Sequence, residues 1–418
     1  MDKETVSNWL EVQLNKKSVE KTGPFFGFLF LISSLLLSAI LIWLIILFGA
    51  SVISMKLPEN DADGAFLRNV GLVTIAFFGA PFLVWRSIIA ARQAKTSDDV
   101  LQNQKVTNLS NNLSARRQIT ERVIENGIVS VIAEWEDDLV SRATAIDGLE
   151  ALCKETPNLT PRIVRLLASY IRGTFPETSL APTDNLERRP SPRMDLQKAI
   201  DAIGRLTKIA GLHDQSKWRI DLQNCNLSGV NFSNGCYEAM DCRNSRLEGA
   251  IFNGGNFRGA LFYSSILNHA TFHSADFTGA KLDHVILNKP VLSNNGSNMS
   301  LALATLDGVS LMSADLTAIS FLGSASDISK TFGTSETLLS RQMSRRKPSE
   351  EIHDMAHLAQ RSSNTGNISE QERSAMDELN SSGFQNWVPY TTNDLATLHF
   401  RGELYEKLGL TSWPFNQE

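Results

Sequence analysis

Among residue types that do chemistry, the 418-residue chain offers seven histidines and four cysteines. His353 and His357, in the phrase HDMAH, stand four apart, the spacing by which one helix face turns two imidazoles toward a zinc ion. Zinc hydrolases with that spacing carry a glutamate after the first histidine as general base. Here the shorter Asp354 takes its place, and no clear third ligand accompanies it. His269, His273 and His284 fall inside a repetitive stretch, at positions that read as turn corners. Cys153, Cys225, Cys236 and Cys242 form no CxxC pair, so they read as buried thiols rather than a disulfide framework. No P-loop, GxSxG or GxGxxG phrase occurs. The expectation is a protein that is not an enzyme, with no catalytic, cofactor-binding or metal residues.

The elements around these residues begin with an uncharged run, Phe25–Ala50, long enough to cross a ~30 Å hydrocarbon layer. It is too long for the core of a cleaved signal peptide. A second, shorter run, Val70–Trp85, reaches spanning length when Phe66, Leu67 and a snorkelling Arg68 are added; the alternative is a buried helix. Lysines 3, 16, 17 and 21 precede the first run, and Arg86, Arg92 and Lys95 follow the second, so the positive-inside rule puts both termini in the cytoplasm. This reads as residues 1–23 cytoplasmic, a transmembrane helix at 24–50, a short non-cytoplasmic loop at 51–65 and a second span at 66–87. Residues 88–215 follow as a cytoplasmic α-helical stalk and domain, with a helix or flexible stalk to about Asn126. Apolar stripes then mark helices containing Ile146 and Leu149, Ile163 and Leu167, and, after a proline-rich loop, the run DLQKAIDAIGRL.

From Arg219 onward a five-residue phrase recurs, as in ATFHS-ADFTG-AKLDH (Ala270–His284). Extended backbone that turns every five residues points the first and third positions inward and the second outward, with Gly, Ser, Asn and His at the corners. Four corners give a second period of twenty, visible in the columns Leu227, Leu247, Leu267 and Phe232, Phe252, Phe272. The inward stack reads as Leu222, Leu227, Phe232, Leu247, Phe252, Phe257, Leu267, Phe272, Phe277, Leu282, Leu287, Leu306, Leu311 and Leu316. After SNNGSN (Ser293–Asn298) the step from Leu287 to Leu306 is nineteen residues, which reads as a deletion of one. It is either a tolerated corner irregularity or a kink.

These phrases resemble the A(D/N)LXX unit of the pentapeptide repeat family. The resemblance implies a right-handed quadrilateral β-helix over 218–323, about five coils from about twenty units. With the two apolar runs, the chain is similar to bacterial membrane-anchored pentapeptide repeat proteins of the inner (cytoplasmic) membrane. The fold class expected is therefore a two-helix transmembrane hairpin, a small α-helical segment, the β-helix and a mixed α and irregular C-terminal cap.

Residues 324–383 read as a polar linker, whose RQMSRRKPSEE piece either meets anionic lipid or is simply solvated. Residues 384–418 form the aromatic-rich cap, in which Trp387, Tyr390 and Trp413 could alternatively contact a partner. The net charge of −5 gives no whole-chain signal for nucleic acid, and no direct nucleic-acid binding is expected. The leading function is a non-enzymatic, membrane-integral scaffold that presents the repeats to unknown protein partners. A DNA-mimic protein that binds topoisomerase is one alternative, opposed by eight acidic against six basic residues between Arg219 and Phe321. A membrane effector or transport component acting through the hairpin is the other.

Overall fold

A computed structural model describes residues 39, 42, 43, 46, 50, 61–125, 128–178, 189–210, 218–287, 299–300, 304–320, 328–362 and 368–415. They divide into two compact units, Met1–Gln102 and Asn103–Glu418. The main described element of the first unit is α1 (Asp61–Asn112), a 52-residue helix whose last turns belong to the second. Among the described residues no helix is long and apolar enough to cross a membrane. The expected second span is corrected: 66–87 is part of a continuous helix in which Arg68 and Arg86 bracket the apolar run. At 1.5 Å per residue, Val70–Trp85 measures only about 24 Å, short of the hydrocarbon thickness. The expected first span falls almost wholly outside the described residues. Membrane anchoring, the inner-membrane location, the two-span topology and the integral-membrane partnership are therefore not retained.

The second unit opens with a correction to the expected stalk. After Asn112 the chain forms an antiparallel ribbon, β1 (Arg116–Glu125) and β2 (Ile128–Asp137), with Glu125 paired to Ile128. Three helices follow: α2 (Leu139–Glu155), α3 (Thr160–Thr174) and α4 (Met194–Ala210). Asp138 caps α2 by accepting from the Ser141 amide at 3.1 Å, and Pro161 sits in the first turn of α3, where its missing N–H costs nothing. Their apolar stripes meet in a core of Ile146, Leu149, Ile163, Leu167, Ile171, Ile200 and Ile203, continuous with the repeat region.

In the repeat region, residues at positive φ recur every fifth position from Asn224 to His284, and again at Gly308 and Ser313. In most units the residue three places after the central side chain donates back to its carbonyl, as Ala250 does to Leu247 at 3.1 Å. Positive φ at the third of four residues with that bond is a type II turn. The Asn or Asp before the central residue locks the turn, accepting from the amide two residues on; Asp276 takes Thr278 N–H at 2.9 Å. Successive rungs join through single parallel bridges twenty residues apart, Asn226 to Arg246 to Ile266 to Ile286.

The expected quadrilateral β-helix is corrected by this geometry. Two of every five residues go to the turn, leaving room for one bridge per side, so no continuous strands form. The short strands here, β3 (Ile220–Asp221), β4 (Met240–Asp241), β5 (Met299–Ser300), β6 (Asp315–Leu316), β7 (Ile319–Ser320) and β8 (Leu338–Leu339), are two residues each. The described residues form no closed β-solenoid, and most of their regular structure is helical. The apparent deletion is also reversed. Ile286 bridges Asp315, a step of twenty-nine residues, so the rung gains nine.

All fourteen residues read as the inward stack are buried, none more than 6% exposed. Phe232, Phe252 and Phe272 lie face to face at 5.3 and 5.2 Å between centroids, and Tyr237, Phe257 and Phe277 at 5.4 and 5.1 Å. The helix α4 closes the first rung: the Gln197 amide gives to Asn231 O at 2.8 Å and accepts from Asn231 N–H at 2.9 Å, as a preceding rung would. Beyond the stack, the stretch read as a linker contains β8, α5 (Arg341–Ser344), α6 (Glu350–Ser362) and α7 (Glu370–Ser382), and α8 (Leu395–Lys407) follows. Substituting Phe252→Ala, whose ring has stacked neighbours on both sides, should cost about 3–5 kcal/mol in urea unfolding. An unchanged midpoint would show that the aromatic columns do not hold the rungs together.

Candidate interaction site

The residues first suspected of chemistry are dispersed. His353 is buried in α6, Asp354 is exposed beside it, and the side chain of His357 lies outside the described residues. His269 and His284 occupy left-handed corners, and the His284 ring packs edge-on to Tyr263 at 4.9 Å. Among the described residues no group of three or more His, Cys, Asp or Glu could hold a metal ion. Burial pushes the inward Cys225 thiol up to about 12, the opposite of what a nucleophile needs.

The aromatic residues considered for partner contact are engaged within the chain. Trp387 is fully buried and donates its indole N–H to Thr331 at 2.9 Å. Tyr390 stacks on Phe400 at 6.1 Å, and Trp413 lies 5.0 Å beneath the Arg219 guanidinium. The segment carrying them runs along one corner column of the stack, where Gly259 and Gly279 have positive φ. A Cβ on Gly259 would meet the Pro414 ring at 2.5 Å, and one on Gly279 the Phe415 ring at 2.3 Å. Glycine is needed there for both the turn and the contact. Asp283, buried, accepts from Met312 N–H at 3.0 Å and faces Arg401 of α8 at 3.6 Å.

Apolar side chains are exposed at the base of the ribbon, as they also are along α1 at Phe82, Leu83 and Trp85. Trp135 on β2 is 64% exposed and Ile119 on β1 37%, and Val140 beside its base is 66% exposed. No third strand pairs with β1 or β2 among the described residues. The base, by contrast, is held tightly. Asp137, the last residue of β2, bonds Arg142 of α2 at 2.5 Å and Arg193 at 2.9 Å. Arg193 grips Asp195 of α4 through two bonds at 2.9 and 2.6 Å, and Tyr170 of α3 donates to the same carboxylate at 2.5 Å. Arg142 also donates to Ala115 O, just before β1, at 3.1 Å. One network thus ties both strands to three helices. Burial works to raise the Asp195 pKa, but the bonds from Arg193 and Tyr170 prevail and hold it below the usual carboxylate range. Burial first, and Asp195 second, push Tyr170 up to about 12. Beside the network lies an open cleft of about 540 Å³ lined by Ser110, Arg116, Asp137, Arg142, Ser169 and Tyr170.

Sequence reading missed the ribbon. The connection between Glu125 and Ile128 is Asn126–Gly127, the dipeptide most strongly associated with two-residue hairpin turns, and β-branched residues flank it. That signal lies in a stretch whose charges read as a polar stalk.

Two acid–base outcomes follow. The depressed Asp195 contributes stability above its unfolded pKa and loses it as pH falls through the lower folded value. Asp195→Asn removes the carboxylate that Arg193 and Tyr170 hold and leaves Asp137 as the remaining anion of the network; it should cost about 3 kcal/mol at neutral pH, measured by urea unfolding. Asp283 has the opposite sign: burial raises its pKa, against the Ser310 hydroxyl and Arg401. Its contribution is complete below the ordinary carboxylate range and lost as pH rises through the raised value. Stability of Asp283→Asn should therefore vary less than the parent's across that rise; equal slopes would remove Asp283 as the cause.

Residues 241–279 match the family model for pentapeptide repeats, with eight copies. Among solved structures, the chain is similar to a pentapeptide repeat protein, Rfr23, of the cyanobacterium Cyanothece 51142. That match has 20% identity over 29% of this chain and 84% of that one, with a TM-score of 0.17. It is also similar to HetL, a pentapeptide repeat protein involved in heterocyst differentiation regulation in Nostoc sp. strain PCC 7120, at 23% identity, 32% and 57% coverage and a TM-score of 0.13. A pentapeptide repeat protein of the Arabidopsis thaliana thylakoid lumen gives 27%, 28% and 59%, and 0.12. The overlaps are geometrically loose. No curated protein matches the chain. The family that the matching model describes is generally non-catalytic. The repeat-presenting scaffold, the DNA mimic and the membrane effector are not retained: the described residues contain neither a spanning helix nor a closed β-solenoid for such roles.

Proposed function

We propose that the chain is a non-catalytic binding protein whose working surface is the β1–β2 ribbon, with the pentapeptide repeats as internal support. The observation that carries this reading is the contrast in exposure between the two regions. Corner glycines 229, 249, 259 and 279 of the repeats lie under Pro190, Pro414 and Phe415 of the same chain, and the first rung lies under α4, whereas Trp135 stands 64% exposed. A lone two-stranded ribbon is only marginally stable in water, and its outer edges present unpaired backbone donors and acceptors. Such an edge accepts an extended strand from another polypeptide, the main chain supplying hydrogen bonds and flanking side chains the selectivity. The network around Asp137 and Asp195 fixes the base, which lowers the entropy lost on binding.

The reading is tested by replacing Trp135 with the photoreactive benzoylphenylalanine in the full chain and irradiating cells, with the exposed His399 position as control. Protein adducts should form from position 135 and not from 399. Absence of adducts at 135, or equal yields at both, would refute the ribbon as the working surface.

A further inference from the structure

The last turns of α1 and the outer face of α3 bound a second cleft, of about 350 Å³, lined by Thr107 and Ser110 of α1 and by Arg162, Arg165 and Ser169 of α3. Positions 162, 165 and 169 share one helix face, so α3 aligns two guanidiniums and a hydroxyl along the opening. Among the described residues no carboxylate lines it. Arg162 spends one of its five N–H donors on Asn103 Oδ1, at 2.5 Å. Arg165 lies over the Trp218 ring, 5.9 Å from its centroid, which restrains the guanidinium and consumes none of its donors. Two arginines therefore line one cavity of ligand size with no anion of the chain between them.

The cleft of about 540 Å³ beside the Asp137 network adjoins it, since Ser110 and Ser169 line both. Its polar groups are mixed where those of the smaller cleft are cationic. Arg116 stands 3.8 Å from Asp137, beyond hydrogen-bond reach, and keeps its donors for a ligand. The two serine hydroxyls can donate or accept. The carbonyls that end α1 do not compete for those donors, because Ser110, Asn111 and Asn112 O accept from the amides of Leu113, Ser114 and Ala115.

A carboxylate offers two oxygens, which one arginine fork satisfies, and would leave the second guanidinium unmatched. A phosphate monoester offers three terminal oxygens and enough charge to engage both. We infer that the joined clefts bind a small phosphorylated sugar, free or as part of a nucleotide, with its phosphate at Arg162 and Arg165. Its hydroxyl groups then extend past Ser110 and Ser169 toward Arg116. The ligand lies apart from the outer edges of the ribbon, and its binding does not require them.

Titration calorimetry of the full chain at low salt tests the site with ribose 5-phosphate, adenosine monophosphate and unphosphorylated ribose. At least one phosphorylated probe should bind with a dissociation constant below about 1 mM, and ribose should give no signal. Arg162→Gln and Arg165→Gln should each weaken binding by roughly tenfold or more, with unchanged circular dichroism. Arg341→Gln removes the same charge at an exposed position elsewhere and should leave the affinity as it is. Adenosine monophosphate binding severalfold more tightly than ribose 5-phosphate would identify a nucleotide site; equal or weaker binding would identify a sugar-phosphate site. No binding of either up to roughly 10 mM, no loss in the Arg162 and Arg165 variants, or an equal loss in Arg341→Gln would each overturn the site.

Discussion

The repeat region depends on one local interaction, the turn that returns the chain every five residues. Its third residue must adopt positive φ, which costs a side-chain-bearing residue of the order of 1 kcal/mol and glycine nothing. Asn fills the position at 224, 234 and 244, and Gly at 229, 249, 254, 259 and 279. The Asx bond from the preceding acidic or amide residue supplies part of what the backbone needs to hold that shape. Everything else in the rung follows. The turn angle brings the central residue inward, the twenty-residue return places it over its predecessor, and aromatic columns result.

The same turn explains how the neighbouring elements attach. Where the corner is glycine, other backbone can approach within contact distance, and the chain uses this on two columns. Pro190 and Arg189 lie over Gly229 and Gly249, and Pro414 and Phe415 over Gly259 and Gly279. Side-chain-bearing corners are met by hydrogen bonds instead: Glu177 N–H donates to Asn224 O at 2.7 Å, and the Ser313 and Thr392 hydroxyls lie 2.6 Å apart.

Much of the repeat geometry was legible because two periods coincide: five sets the corner and twenty sets the column. Neither period identifies which side of the rung a phrase occupies after an interruption. Leu306 and Leu316 share the five-residue phase, so a nineteen-residue step from Leu287 looked natural where the bridge partners show twenty-nine. The extent of strand was overread for a related reason, since a repeat period says nothing about how few residues remain to pair. Apolar length misled at Val70–Trp85, where hydrophobicity continued into a polar helix instead of ending at an interface. The ribbon was missed because its strands carry charges on both faces, which masks alternation, although Asn126–Gly127 marked its turn. The Asp137–Arg142–Arg193–Asp195 network had no sequence signature, as its members come from separated elements.

The C-terminal contact has a consequence for the order of assembly. Arg219, at the start of the stack, donates to Pro414 O across 195 positions of sequence, while each rung closes on its neighbour over about twenty. Loop-closure entropy favours the short returns first, so the glycine corner is built before its cover arrives. Until then the stack carries an uncovered seam one methyl group deeper than the corners that bear a side chain. A chaperone or a nascent neighbouring chain would meet that seam only during the interval between stacking and closure.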